Sequence, residues 1–266
     1  MQIFAQAFWM PKAGTTEAEY EDAFWPNKTI HDRTKCARLA IADGAQESSF
    51  SKIWATQLVR HLCKGQFDAY FNLDAIREIQ RRWHTIVRRR PLPWYAEEKI
   101  LSGAFAAILG LVLEDQESCN GSQGQWHAVA VGDCCLVHMR GEEILARFPL
   151  DSSEAFTNRP HLLSSHPAYN NTVSEHLRTI EGRWLQDDSF YLMTDALACW
   201  FMREVEDGRS PWSILRDLDT TGGSKPFREW VNELRMNRTL RNDDVTLLRI
   251  DLAGNDRHAV ADTARL

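Results

Sequence analysis

Acidic residues recur at the start or end of apolar, strand-like runs, in a pattern that could bind metal ions. Strands of one sheet can bring such ends together even when the residues lie far apart in sequence. Clustered carboxylates repel one another, and the pKa of one of them rises strongly unless the cluster shares a cation. Oxygen ligands with no His or Cys at ligand spacing suit hard cations such as Mg²⁺ or Mn²⁺. The four sites are Glu21-Asp22 in EYEDAF, Asp43 in IADG, Asp195 in LMTDAL and Asp243-Asp244 in RNDDVTLL.

A pair of such ions has a defined chemical use. Two cations about 3.5–4 Å apart, bridged by one carboxylate, hold a hydroxide and clamp a phosphoryl group. Each acid alone also has a local explanation, because Asp-Gly is typical of a turn and Asp after a strand is typical of a helix N-cap. The spacing therefore suggests phosphate-ester chemistry, and the alternative of four unrelated structural acids stays open at this point.

The acids must be positioned by strands, and hydrophobic periodicity predicts where the elements lie. Predicted strands cover residues 2–9, 36–42, 125–140 (two strands joined at Gly132-Asp133), 142–148, 189–195 and 244–252. Predicted helices cover residues 50–64 (capped by Ser48 or Ser49), 73–88, 94–101, 196–206, 211–218 and 226–236. Because the helices come in pairs between antiparallel-looking strands, the pattern favours a layered α+β domain with strands in the core.

Length and charge narrow the class of protein. The 266 residues are 44% hydrophobic, which is sufficient for the core of one large domain. We expect a single domain over residues 1–252, followed by a polar tail over 253–266. The net charge of −6 disfavours general binding to nucleic acid or to an anionic membrane.

Cysteine usage and apolar runs bear on location. The six Cys residues form no CxxC pair, which indicates reduced thiols in a cytoplasmic protein. The N-terminal MQIFAQAFWMPK lacks a basic start and a cleavage site, so we expect no signal peptide. The apolar run GAFAAILGLVL (103–113) is shorter than the roughly 20 residues that cross a bilayer as a helix. The sequence therefore predicts a soluble protein.

Several short motifs follow one another in an order that resembles a known family. They are EDAF, a strand ending in ADG, AVAVGDCCLVHMRGEEI, FYLMTDALACW and NDDVTLL, spread over about residues 17–250. The set is similar to the metal-dependent protein phosphatases of the type 2C class, whose pattern has an ED pair, DG, GDS-R, TDG and a late DN-T-V. The resemblance implies a four-layer α-β-β-α sandwich, in which two antiparallel β-sheets are flanked by helix pairs.

The resemblance also implies a ligand set for two Mg²⁺ or Mn²⁺ ions. Asp43 would bridge both ions, and the carbonyl of Gly44 would complete one coordination sphere. Glu21 and Asp22 would serve that same ion, directly or through water.

Two further acids complete the set that the resemblance implies. Asp195 and Asp243 would hold the other ion, and Asp243 is chosen over Asp244 because it occupies the D of DN-T-V. Together with Asp43 they would carry catalysis, in which a metal-bridged water attacks the phosphorus of phosphoserine or phosphothreonine.

The chain departs from the family pattern near these acids. Ala45-Gln46 follows Asp43-Gly44 where the family has a Gly pair or a His, so the His that serves eukaryotic members as general acid is missing from that position. Asp133 matches an acid that some members use for a third metal, but Cys199 stands where those members have a second acid. We therefore expect Asp133 to act as a turn residue.

Three functions follow from these observations. The first is a Mg²⁺/Mn²⁺-dependent serine/threonine protein phosphatase, whose partners would be a phosphorylated protein and a separate kinase or scaffold. The second is a catalytically weak relative that binds a phosphoprotein as a regulatory module. The third is an unrelated metal-dependent hydrolase of small phosphate esters. The complete set of acids favours the first function.

Two segments lie outside this set of acids. RRWHTIVRRR (81–90) carries five arginines, which form either a solvated helix face or a docking patch for an acidic or phosphorylated partner. Residues 149–183 are predicted to be irregular and fall where the family has a flap beside the active site. The flap would influence which phosphopeptide fits, and a simple surface loop is the alternative.

Overall fold

The structure is a computed structural model that describes residues 1–45, 50–64, 73–90, 100–116, 123–157, 159–218 and 225–253. The predicted caps Ser48 and Ser49, most of the predicted helix 94–101 and the tail from residue 254 lie outside these ranges. Within them, no helix is long and apolar enough to span a membrane.

Strands and helices alternate in blocks along the chain. The strands are β1 (Gln2–Met10), β2 (Ala23–Trp25), β3 (Ile30–Arg33), β4 (Cys36–Gly44), β5 (Phe105–Gln116), β6 (Gln123–Val131), β7 (Cys135–Arg140), β8 (Glu143–Phe148), β9 (Leu163–Ser164), β10 (Arg178–Leu185), β11 (Asp188–Met193) and β12 (Val245–Ala253). The helices are α1 (Ser51–Cys63), α2 (Leu73–Arg88), α3 (Val173–His176), α4 (Asp195–Glu206), α5 (Pro211–Asp217) and α6 (Lys225–Met236).

The strands form two antiparallel sheets of six strands each. The first sheet has the order β3-β1-β12-β11-β7-β8. The second has the order β10-β6-β5-β4-β2, and β9 pairs with β5 beside this path. This arrangement confirms the predicted α+β sandwich.

Alternation along the strands separates the layers. Leu39 and Ile41 of β4 face the core between the sheets, whereas Ala40 and Ala42 face α1 and α2. On the other sheet, Leu248 of β12 faces the same central core, while Leu247 belongs to an outer cluster with residues of α4 and α6 such as Phe201 and Phe227. Three apolar clusters therefore separate four layers, with both sheets inside.

The sequence predicted most of the long elements, but the longest strand, β5, is not among the predicted strands, because residues 103–113 were interpreted only as an apolar run too short to cross a membrane. Helices α1, α2, α4, α5 and α6 lie at the predicted positions to within a residue. The prediction that residues 149–183 are irregular is wrong at its end, because Arg178–Leu185 forms β10. Among the described strands it pairs with β6 alone, and it exposes most of its polar side chains, so it lacks the apolar alternation that marks a buried strand. The short strands β2, β3 and β9 were not predicted.

Candidate metal centre

Five aspartates converge at one end of the sandwich. Asp43 lies at the end of β4, Asp22 directly precedes β2, Asp195 begins α4 after β11, and Asp243 precedes β12. Asp133 lies in the turn between β6 and β7. The negative charges of the other four each raise the pKa of Asp43. Both sheets thus contribute acids to one group.

Burial and mutual repulsion both act on these carboxyls. Burial is the main reason why the pKa values of Asp22 and Asp43 lie well above the usual range, and neighbouring carboxylates add to it. Burial also raises the pKa of Asp195, and the positive charge of Arg241 opposes that shift. Arg241 therefore offsets only part of the negative charge of the group, and a bound cation would relieve the remaining repulsion.

Asp22 is the acid whose surroundings fit a cation ligand most directly. Its side chain is 2% exposed. One carboxylate oxygen, Oδ2, accepts a hydrogen bond from the Thr246 hydroxyl at 2.6 Å. The other, Oδ1, is buried and has no hydrogen-bond partner among the described residues. Because a buried polar atom without a partner is costly, Oδ1 fits a cation ligand.

Hydroxyl groups hold Asp22 in place. Thr246 of β12 is hydrogen-bonded through its own hydroxyl to the hydroxyl of Tyr20. The Thr246 amide donates to the hydroxyl of Thr194 at 3.0 Å, which links β12 to the start of α4. These contacts connect the segment before β2 to the first sheet. Thr246 matches the T of the DN-T-V pattern, whereas the role of Tyr20 had no sequence signal.

Glu21 and Gly44 meet at the edge of the group. The Ser51 hydroxyl of α1 donates to a carboxylate oxygen of Glu21, which turns this side chain toward α1. A Cβ atom at Gly44 would come within 2.8 Å of the Glu21 carbonyl oxygen, so this close approach requires glycine. Glu21 therefore lies at the margin of the acid group. The absence of a side chain at Gly44 allows the segment that contains Glu21 to pack against β4.

Arg241 is a contributor that the sequence reasoning missed. Its guanidinium donates to Oδ2 of Asp195 and, at 3.1 Å, to Oδ2 of Asp243. It thus bridges the two acids expected to hold the second ion. The only sequence signal was a basic residue two positions before Asp243. Within the described ranges, no three His, Cys, Asp or Glu side chains form a ready coordination sphere, and Arg241 already uses two of the oxygens concerned.

Two further acids near the group differ in what they do: Asp244 holds loops in place, and Asp133 is part of the group. Asp244 accepts hydrogen bonds from the backbone amides of Lys12 at 2.8 Å and Glu21 at 2.7 Å, so its carboxylate fixes two loops. Asp133 was expected to be a turn residue. It does lie in the β6–β7 turn, but burial, followed by the charge of Asp195, raises its pKa to about 7. It therefore belongs to the acid group as well.

The comparisons with known proteins agree with this geometry. The sequence model of the protein phosphatase 2C family matches residues 16–244, which is most of the chain. The chain belongs to the protein phosphatase 2C family. It is therefore a hydrolase of the phosphatase class. No curated protein matches the chain in a sequence search.

Solved structures share the fold at low sequence identity. The serine/threonine phosphatase PstP/Ppp of Mycobacterium tuberculosis is 16% identical with a TM-score of 0.54, over 96% of this chain and 100% of that one. The PstP catalytic domain in complex with two manganese ions is 13% identical with a TM-score of 0.56, over 95% and 100%. The phosphatase domain of SpoIIE from Bacillus subtilis is 12% identical with a TM-score of 0.51, over 97% and 95%.

Proposed function

We propose that the chain hydrolyses phosphoserine and phosphothreonine in proteins and depends on two Mg²⁺ or Mn²⁺ ions. The observation that carries this proposal is the group of buried and half-buried aspartates beside both sheets, in which one buried carboxylate oxygen of Asp22 has no hydrogen-bond partner among the described residues. The manganese-bound PstP neighbour supports the choice of metal. The identity of the metal and the number of ions are part of the proposal.

The acids of the group fall into two sets, one for each ion. Asp22, Asp43 and the Gly44 carbonyl would hold one ion, and Asp195 and Asp243 the other. Glu21 would act from the margin, through water. When bound, such ions supply a hydroxide near neutral pH and neutralise phosphoryl oxygens.

The remaining groups orient and balance this site. Thr246 fixes Asp22 through a hydrogen bond, and Asp22 itself is buried. Arg241 balances the charges of Asp195 and Asp243. Hydrolysis adds one water across the phosphorus–oxygen ester bond. The serine or threonine oxygen leaves with one proton, and inorganic phosphate is released.

Several further expectations accompany this function. The family match disfavours a non-catalytic regulatory module. A phosphorylated protein as substrate follows from the family, while a particular kinase or scaffold stays a prediction. The cysteines in the described residues are free thiols, which supports a cytoplasmic location.

The test compares a metal-ligand variant with a surface control. Purified protein should hydrolyse an aryl phosphate with Mn²⁺, and EDTA should abolish the reaction. Asp43→Asn should lower kcat by about 10³-fold or more, since it removes the expected bridge. Asp151→Asn, at an exposed position, is the matched control and should keep full activity. Wild-type activity in Asp43→Asn would contradict the metal assignment.

A further inference from the structure

An arginine-rich groove lies between α2 and the segment 165–167, outside the metal centre. Its volume is about 1240 Å³. Basic and apolar side chains line it together, including Arg77, Arg81, Trp83, Arg88, Arg90 and Leu101. Leu101 is 71% exposed, which is unusual for a leucine in a concave surface. The groove therefore offers both charge and apolar contact to a ligand.

Helix geometry explains why the arginines line the groove together. Arg77, Arg81 and Arg88 follow the spacing i, i+4, i+11, so they share one face of α2. Ile76, Ile79 and Val87 anchor the other side of the helix in the core with the outer face of the second sheet. The arginine side is thus held in a fixed orientation toward the groove.

The groove arginines differ from a neighbour on the same helix. Arg82, which does not line the groove, forms an ion pair with Glu78 at 2.5 Å. In the described part of the chain, no carboxylate forms an ion pair with Arg81, Arg88 or Arg90. Their charges are therefore available in a chain whose net charge is −6.

A short route connects the groove to the metal centre. Ala45, two residues after Asp43, donates its amide to the carbonyl of Phe105 at 2.9 Å. Phe105 pairs with Ser164 of β9. The Gln80 side chain of α2 donates to the Ser164 carbonyl at 3.0 Å. Two strand spacings, about 10 Å, therefore separate β4 from β9, and the groove begins at residues 165–167 directly after β9.

We propose that this groove binds acidic residues that flank the phosphorylated residue of a protein substrate, an inference that rests on the proposed function. An extended peptide advances about 3.3 Å per residue, so the acidic residues would lie about three to five positions from the phosphorylated one. A peptide fits better than a nucleic acid, because the net negative charge of the chain repels a long polyanion.

The experiment uses two phosphopeptides that differ only in acidic or neutral residues three to five positions on either side. KM for the acidic peptide should be about five- to tenfold lower, and Arg81→Ala/Arg88→Ala should remove this difference without changing kcat. The matched control is Arg82→Ala, on the same helix and outside the groove, which should keep the preference. Aryl phosphate hydrolysis should be equal in all three proteins.

Binding is measured separately by fluorescence polarisation of the labelled acidic peptide. This readout tests the groove independently of catalysis. If none of the three proteins hydrolysed aryl phosphate, that result would contradict the proposed function but not the groove. Equal affinity of wild type and Arg81→Ala/Arg88→Ala for the acidic peptide would overturn the groove proposal. Stronger binding of a single-stranded oligonucleotide than of the acidic peptide would also overturn it.

Discussion

Arg241 supplies a positive charge between Asp195 and Asp243, where a divalent cation would need the same oxygens. Its hydrogen bonds relieve repulsion between the two carboxylates in the metal-free protein. A second ion held by Asp195 and Asp243 would have to displace this guanidinium. We therefore expect Arg241 to lower the affinity of these two acids for that ion.

This competition gives a prediction for metal affinity. Arg241→Gln keeps a polar side chain but removes the charge, so the dissociation constant for Mn²⁺ should fall by about three- to tenfold. The metal-free variant should also melt at a lower temperature, since Asp195 and Asp243 lose their counter-charge. Titration calorimetry on EDTA-treated protein measures the affinity, with Arg241→Lys as the charge-conserving control. An unchanged dissociation constant in Arg241→Gln would show that the guanidinium does not compete.

At the scale of elements, the buried carboxylate of Asp188 links β11 to its neighbour β7 and to the turn between β10 and β11. Asp188 begins β11 and is fully buried. It accepts hydrogen bonds from Nε2 of His138 at 2.9 Å, from Nε of Arg140 at 2.8 Å, and from the Leu185 amide at 2.9 Å. Burial raises the pKa of Asp188, but these hydrogen bonds outweigh it and lower the pKa to about 2.

Asp188→Asn should therefore destabilise the fold by about 3 kcal/mol at pH 7, because it leaves buried donors without a charged acceptor. A depressed carboxyl pKa stabilises the native state above the unfolded value of about 4. In the wild type the free energy of unfolding therefore falls as the pH drops from about 4 to about 2. The free energy of unfolding of Asp188→Asn should not show this fall. Urea unfolding across this range measures both, with exposed Asp217→Asn as control. Parallel pH profiles for wild type and Asp188→Asn would contradict the assignment.

The same scale explains what sequence reasoning can and cannot find. β4 was predictable because buried residues fill both faces near its end, and the acid follows directly. β10 was not, since an edge strand with exposed charges carries almost no apolar pattern. Likewise Asp43 and Asp195 were found from their positions at strand ends. Arg241 was missed because its contact with Asp195 spans 46 positions, and a basic residue two positions before Asp243 is too weak a signal to place it in the site.

At the scale of the whole molecule, the acid group joins the two sheets. Asp43 lies in β4 and Asp22 directly before β2, both of the second sheet, whereas Asp195 follows β11 and Asp243 precedes β12, both of the first sheet. Their mutual repulsion opposes closure of this end of the sandwich in the absence of an ion. A cation bound there would hold the sheets together, and the unfolded chain cannot bind it in the same way.

Mn²⁺ should therefore raise the melting temperature. An ion at about 100 times its dissociation constant stabilises the native state by about 2.7 kcal/mol, which is about 5–10 °C for a chain of this size. Asp43→Asn removes one repelling carboxyl, so the metal-free variant should melt no lower than the wild type and should gain much less from Mn²⁺. Differential scanning calorimetry measures both, with NaCl at equal ionic strength to account for screening. If Mn²⁺ raised both proteins equally, the ion would bind elsewhere, and the two sheets would not be joined through Asp43.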